Sequence, residues 1–324
     1  MLVVIAIGGK GLLGGRAGLE AEAHRAGARN VVAAIAGVAR HHNVVVTHGS
    51  SPQVGLLAYQ SALSRHGCEY PLDIVEAEAE GFLGYVLQQE LQNELRDRDA
   101  VTVLTQVQVD PDAPGYGRHR KLVGPVLAPV DAERMQRDRG WAFEAVDGGW
   151  RRSVPSPEPL AIVELRTIQF LASGGAIVIC AGGGGIPVRC DAGGALHGVE
   201  AVIDKDRSAA LLATLLEADL LLYLTDVPAV SSDWGSAFAR PIGRVSPGEL
   251  ARHQFDEATI GAKVESAGRF VRMTGKRAAI GAVDDADALC QGRAGTQIVA
   301  DGFDPALLSQ AGRGHVRATP RGER

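Results

Sequence analysis

Short, almost uninterrupted apolar runs alternate with longer amphipathic stretches along the chain. Leu2–Ile7 ends at Gly8-Gly9, Val44–Thr47 at His48-Gly49, Ala176–Ala181 at Gly182-Gly183-Gly184-Gly185, and Leu220–Thr225 at Asp226. Apolar runs of this length, closed by turn residues, predict strands buried on both faces, as in a parallel sheet. Between them, helical periodicity is read at about 19–38, Val54–Leu63, Val75–Leu95, Ile162–Leu171, Asp206–Glu217 and Val264–Met273. The β-branched stretch Val101–Val109 predicts one further strand, and Arg277–Val283 and Gln297–Val299 predict closing strands. This alternation predicts an α/β fold with a mostly parallel sheet covered on both faces. Residues 110–159 break the rhythm: they are rich in Pro, Gly, Asp and Arg and carry Trp141 and Trp150, which predicts a small inserted subdomain. The polar, Arg-rich stretch 312–324 is expected to be a disordered tail.

Composition narrows the class. The chain has 324 residues, long enough for one large domain or two lobes, and its 46% hydrophobic and 22% charged content is that of an ordinary globular protein. A net charge of −5 offers no basic surplus for nucleic acid or an anionic membrane. No run approaches the ~18 apolar residues of a membrane-spanning helix. Met1–Gly8 lacks the basic start of a signal peptide, so a cytoplasmic location is expected. Cys68, Cys180, Cys190 and Cys290 form no Cys-x-x-Cys pair, so neither a disulfide framework nor a zinc site is expected. Only five of the 33 basic residues are lysine, namely Lys10, Lys121, Lys205, Lys263 and Lys276. Where arginine serves almost every surface need, a retained lysine points to a site that requires a compact ammonium.

The glycine-rich turns all follow predicted strands, where ligands gather in open α/β sheets. Gly9-Lys10-Gly11-Leu12-Leu13-Gly14 has the spacing of a dinucleotide-binding loop, but the second strand ends in Thr47-His48-Gly49 without the expected acid. Gly182–Gly185 allows close backbone approach to a phosphate. Asp204-Lys205-Asp206 opens a predicted helix after Ala201-Val202-Ile203, and places a lysine between acids that can orient it. Thr225-Asp226-Val227 closes a buried strand where a nucleotide could rest.

Read together and in order, these segments closely resemble carbamate kinases of the amino acid kinase superfamily. The resemblance rests on Val178–Val188, Gly198–Asp206 and Leu224–Val227. It continues through Val46–Gly49, Pro52–Gly55, Pro71–Asp73, Leu104–Val107, Val154–Pro159 and Lys263–Glu265, covering nearly residues 2–300. It implies a three-layer α/β/α sandwich with a protruding subdomain at about 112–157, an amino-terminal acceptor-binding lobe (1–175) and a carboxy-terminal nucleotide-binding lobe (176–311). It further implies a homodimer and reversible phosphoryl transfer between ATP and carbamate. ATP or ADP is then the co-substrate, with Mg2+ brought mainly by the nucleotide and no direct protein metal ligand expected. Phosphate-gripping lysines map onto Lys121, Lys205 and Lys263, with Asp206 as the acid that orients them and Asp204 beside it; the two aspartates would orient these lysines or the magnesium. Gly8, Gly9, Lys10, Gly49, Ser50, Ser51, Glu80, Gly183 and Gly184 fall on the acceptor and phosphate side. Thr225, Asp226, Val227, Gly261 and Lys263 fall on the nucleotide side.

Departures from the family pattern concentrate in the acceptor loops. Gly-Gly-Asn-Ala reads Gly8-Gly9-Lys10-Gly11, and His-Gly-Asn-Gly-Pro reads His48-Gly49-Ser50-Ser51-Pro52. A glutamine is replaced by Glu80, Thr-Lys-Pro-Ile-Gly-Pro reads Arg120–Pro125, and Gly-Ser-Met-Gly-Pro-Lys reads Ala258–Lys263. Lys10 and Glu80 could neutralise each other, or Lys10 could grip an acceptor carboxylate or the phosphoryl group while Glu80 selects a basic group. Beside carbamate, a different small carboxylate, amine or phosphonate is therefore an alternative acceptor, and a non-catalytic nucleotide sensor is a third reading.

Overall fold

The computed structural model describes residues 1–9, 21–63, 69–233, 238–255 and 260–301. Lys10, the remainder of the 9–14 glycine motif, Cys68, Ala258, Thr259 and the 312–324 tail lie outside the described residues. The first half runs β1 (Leu2–Ile7), α1 (Ala21–Ala39), β2 (Asn43–His48), α2 (Ser51–Ala62), α3 (Leu72–Glu94), β3 (Ala100–Val103) and β4 (Gln106–Gln108). The insertion holds β5 (Arg120–Leu127), α4 (Pro129–Arg139), β6 (Ala142–Val146) and β7 (Gly149–Pro155). There follow β8 (Ala161–Ile162), α5 (Leu165–Ser173), β9 (Ile177–Cys180), β10 (Ile186–Cys190), β11 (Leu196–Gly198), α6 (Lys205–Leu215) and β12 (Leu220–Thr225). The chain continues with β13 (Ser231–Ser232), β14 (Arg240–Pro241), β15 (Arg244–Val245), α7 (Pro247–Leu250), α8 (Ala262–Thr274), β16 (Arg277–Ala282), α9 (Ala286–Cys290) and β17 (Thr296–Ile298).

Eight strands form the main sheet in the order β15-β17-β16-β12-β1-β2-β9-β3. All its pairs are parallel except β16–β17. Side chains alternate across each strand. Val4 and Ala6 of β1 join one apolar core with Ile168 of α5, Leu212 of α6 and Phe270 of α8. Val3, Ile5 and Ile7 join the other with Ile35 of α1, Leu91 of α3 and Leu289 of α9. Two apolar layers flanked by helices make the expected α/β/α sandwich. β9 lies between β2 and β3, so the strand that leads into Gly182–Gly185 sits among strands of the amino-terminal half.

Two sequence expectations change in detail. Val101–Val109 is two strands in different sheets, because the chain turns at Leu104-Thr105. There Glu80 Oε2 accepts the Thr105 amide (3.1 Å), and the Thr105 hydroxyl donates to the Val103 carbonyl (2.7 Å) and accepts from the Ala181 amide (2.9 Å). The helix expected from Ile162 starts at Leu165. Ile162 instead pairs with Val107, and Glu164 accepts from both the backbone and the side chain of Gln106 (2.7 and 2.9 Å).

The insertion is a three-stranded antiparallel sheet, β5-β7-β6, with α4 beside it. Val123, Met135, Trp141 and Val154 from it pack with Val54, Ala58 and Val75 of α2 and α3. The two bodies meet backbone to backbone: a Cβ on Gly55 would fall 1.9 Å from Gly124 N and Cα. Glycine at both positions therefore permits the approach that sets Lys121 over the sheet's carboxyl edge.

Candidate active site

The carboxyl ends of β1, β2, β9 and β12 converge. The Gly8 amide donates to Leu224 O (2.9 Å) and the Gly49 amide to Ile7 O (3.1 Å), which ties the first two loops to the sheet. A Cβ on Gly49 would stand 3.0 Å from Gly9 N and 3.3 Å from Lys205 Cδ, so these glycines clear a path for the lysine stem. Beyond β9, Ala181 is left-handed (φ 48°) and Gly183, Gly184 and Gly185 all have positive φ. The turn curls back over β2, and a Cβ on Gly183 would fall 2.2 Å from Ser50 Oγ.

Helix α6 begins at this edge. Asp204 caps it, with Oδ1 accepting the Asp206 and Arg207 amides at 2.8 and 3.2 Å. Its Oδ2 takes Lys121 Nζ at 2.7 Å, so one carboxylate fastens the subdomain to the helix start. Burial opposes the charge on Asp204, but Lys121, Lys205 and the capped amides outweigh it and hold the carboxyl well below the usual range. One residue on, Asp206 receives Lys205 Nζ on Oδ1 and Lys263 Nζ on Oδ2, the latter at 3.1 Å. All three side chains are buried. Burial pushes Lys205 down to about 8, repulsion from Lys263 adds to this, and Asp206 counters it. The frame is braced from below: Tyr223 donates to the Asp206 carbonyl (2.8 Å) and Ser208 to the Gly184 carbonyl (2.7 Å).

These groups line a cavity of about 660 Å3. Gly9, Gly49, Ser50, Ser51, Lys121, Gly183, Asp204, Lys205, Asp206 and Lys263 all face it. Other sequence candidates do not line it. Gly8 and Gly184 close onto neighbouring backbone, at Leu224 O and Ile203 O. Thr225 bonds Asp226 (3.1 Å) at the end of β12, beside Gly8 and next to Val227, and Gly261 stands at the start of α8. The expectation that Glu80 faces an acceptor does not match its place. It is buried under the glycine turn, taking the Thr105 and Gly182 amides (3.1 and 2.9 Å), and burial pushes it up to about 8. Three lining arginines, Arg118, Arg151 and Arg207, went unremarked in the sequence, and Arg120 was noted only as part of an altered motif, because arginine supplies nearly all its positive charge.

Among the described residues, seven cationic side chains and three carboxylates line the cavity of a chain whose net charge is −5. Such a cleft concentrates anions, and three lysines aimed from separate elements suit the oxygens of a transferring phosphoryl group. The whole chain bears the same stamp: residues 1–281 match the amino acid kinase family. It is 46% identical over 301 residues to the carbamate kinase of Rhizobium meliloti (strain 1021), covering 92% of this chain and 93% of that one.

The chain belongs to the carbamate kinases of the amino acid kinase family.

The carbamate kinase of Haemophilus influenzae is 42% identical, with 92% and 96% covered. Among solved structures, carbamate kinase from Giardia lamblia bound to AMP-PNP superposes with a TM-score of 0.83 at 33% identity, covering 93% and 98%. A protein from Aeropyrum pernix K1 superposes with a TM-score of 0.86 at 37% identity, covering 93% and 100%. Membership makes this a small-molecule kinase, and the cavity is where its charged apparatus converges. Lys121, Lys205 and Lys263 meet there from β5, α6 and α8, drawn together by two carboxylates. No cluster of three potential metal-ligating side chains exists among the described residues. Both oxygens of Asp204 and both of Asp206 are already committed to lysines and amides. This donor set does not fit a resident magnesium ion, which keeps near-octahedral oxygen ligation.

Proposed function

We infer that the protein transfers the γ-phosphoryl group of ATP reversibly to carbamate, giving ADP and carbamoyl phosphate. The observation that carries this reading is the Lys205–Asp206–Lys263 triad, joined through the start of α6 to Asp204–Lys121. A carbamate oxygen attacks the γ-phosphorus while the bond to the β–γ bridging oxygen breaks, and the electron pair leaves on ADP. The attacking carboxylate is already ionised, so no group need remove a proton. What the protein must supply is position and positive charge. Lys205 and Lys263, held by one aspartate, neutralise the equatorial oxygens, and Lys121 closes from the subdomain. Asp204 and Asp206 act by orienting these lysines.

The nucleotide rests toward Thr225–Val227, Gly261 and Lys263, and the acceptor toward Gly9, Gly49, Ser50 and Ser51. Magnesium arrives on the nucleotide as part of the co-substrate. A homodimer suits the exposed apolar stripe Ile74, Phe82 and Tyr85 on one face of α3. No described helix is long and apolar enough to cross a membrane, and the cytoplasm remains our reading of location. The test is ADP formation from magnesium-ATP with fresh carbamate, against a panel of small carboxylates, amines and phosphonates. Saturable turnover preferring carbamate is expected, whereas a preference for another acid would replace carbamate as the acceptor.

A further inference from the structure

Glu76 is a buried acid for which the phosphoryl chemistry above has no use. It lies on α3, 0% exposed, and its Oε1 meets no hydrogen-bond partner among the described residues. Its Oε2 is 3.2 Å from Ser50 Oγ. Ser50 is also wholly buried, yet it forms part of the cavity wall between Gly49 and Ser51. It occupies the N-cap position of α2, where a serine ordinarily folds its oxygen back onto the first-turn amides. Here its side chain makes no cap bond and turns to Glu76 instead. The glycine turn seals the pair, since a Cβ on Gly183 would fall 2.5 Å from Glu76 Oε2.

The proton on Glu76 decides what Ser50 offers the cavity. An ionised carboxylate only accepts, so Ser50 would spend its hydrogen on Glu76 and turn lone pairs outward. A neutral carboxyl donates to Ser50 Oγ and frees the Ser50 hydrogen for the cavity. Burial favours the neutral form and holds Glu76 well above the usual carboxylate range; the Ser50 bond and Lys121 oppose this, and Glu80 reinforces it. Those are the charged groups facing it: Lys121 from β5 and Glu80 one turn along α3. Across Gly182, His48 at the end of β2 is pushed by burial down to about 4 and is uncharged at neutral pH.

We propose that Glu76 is a positioning residue, which by donating to Ser50 Oγ fixes the Ser50 hydroxyl as a hydrogen-bond donor to the acceptor's carboxyl oxygen, the one that remains as the carbonyl oxygen of carbamoyl phosphate. The proposal rests on reading the cavity as a phosphoryl-transfer site for an anionic acceptor. It also accounts for one departure in the acceptor loop. The family pattern has asparagine at position 50, and an amide nitrogen always donates; a serine hydroxyl can donate or accept, and a lone pair engaged from behind turns its hydrogen toward the cavity.

The test is ATP formation from ADP and carbamoyl phosphate at neutral pH by wild type, Glu76→Gln, Glu76→Leu, Ser50→Ala and the Ser50→Ala/Glu76→Leu double variant. Glu76→Leu should raise KM for carbamoyl phosphate about tenfold with KM for ADP unchanged, as expected when one oriented hydrogen bond is lost. Glu76→Gln should rescue, because its amide also donates to Ser50. Adding Glu76→Leu to Ser50→Ala should cost nothing more. Infrared difference spectra of wild type against Glu76→Gln should show a protonated carboxyl band at neutral pH. This readout needs no turnover and stands even if the leucine variant fails to fold. Glutamine behaving like leucine, both KM values moving together, additive losses, or a carboxylate band would each overturn the role of Glu76. A wild type that makes no ATP from carbamoyl phosphate would overturn the carbamate reading itself.

Discussion

Asp206 holds two ammonium groups at once, Lys205 on one oxygen and Lys263 on the other, and 4% of it is exposed. Asp206→Asn keeps the shape and removes the charge. Burial has already pushed Lys205 down to about 8, and Asp206 is the strongest influence raising it. Without that carboxylate, Lys205 should give up its proton at lower pH than in the wild type and neutralise the transferring group less. Loss of one preorganised electrostatic stabiliser typically costs about 10²–10³ in kcat, roughly 3–4 kcal/mol. Two lysines are disturbed here, but groups that act as a unit do not add. The expected loss at neutral pH is therefore at least about 100-fold in kcat. Breaking a buried pair costs about 3–5 kcal/mol of stability, and less where the stranded lysine can shed its charge. The assay is initial-rate ATP synthesis from ADP and carbamoyl phosphate across the neutral to mildly alkaline range. Wild-type kcat/KM should fall as pH rises through about 8, where Lys205 of the free enzyme deprotonates, and that fall should move to lower pH in the variant. Retention of more than about a tenth of wild-type kcat would refute the reasoning, as would a fall at an unchanged pH.

Two further outcomes follow from packing and burial. Gly55→Ala would put a methyl 1.9 Å from the Gly124 backbone. Overpacking costs typically about 1–3 kcal/mol, so melting temperature should drop and kcat should fall with it as Lys121 is displaced from Asp204; an unchanged Tm would contradict the backbone docking. Together His48 and Glu80 should leave stability level between about pH 4.5 and 6.5, falling on either side. His48 sits at about 4 when folded against 6.5 ordinarily, so its contribution is complete above 6.5 and is lost as pH falls toward 4. Glu80 sits at about 8 against 4.5, so its contribution is complete below 4.5 and is lost as pH rises toward 8. Melting curves over this range should show a flattened acid limb for His48→Gln and a flattened alkaline limb for Glu80→Gln; parallel curves for wild type and variants would remove both groups from the explanation.

The elements that carry the site were legible because their signals are local. Leu2–Ile7, Val44–Thr47 and Leu220–Thr225 are apolar on both faces, which suits only a covered parallel sheet, and the first two lead into Gly9 and Gly49 of the cavity wall. Lysine scarcity flagged all five lysines alike, and the family resemblance narrowed them to Lys121, Lys205 and Lys263 before any geometry was known. The order of strands was not legible: nothing in 177–180 says that it inserts between β2 and β3. The break at Thr105 depends on a carboxylate 25 residues earlier. The burial of Glu76 and Glu80 was hidden for a related reason. Glu76-Ala-Glu-Ala-Glu80 has the look of a solvated helix, yet spacing of four places both ends on the face that also carries Leu72, Val75, Ala79 and Leu83, and all of these are buried. Two acids at that spacing on an otherwise apolar face were the signal available.

Purified protein with magnesium, ADP and carbamoyl phosphate, compared with its Lys205→Ala variant at matched folding, bears most directly on whether this cavity transfers phosphoryl groups by lysine electrostatics. Wild type should form ATP, and the variant should bind ADP but turn over at least about 100-fold more slowly. A folded variant with near-wild-type turnover would contradict the assignment of Lys205 and the site built around it.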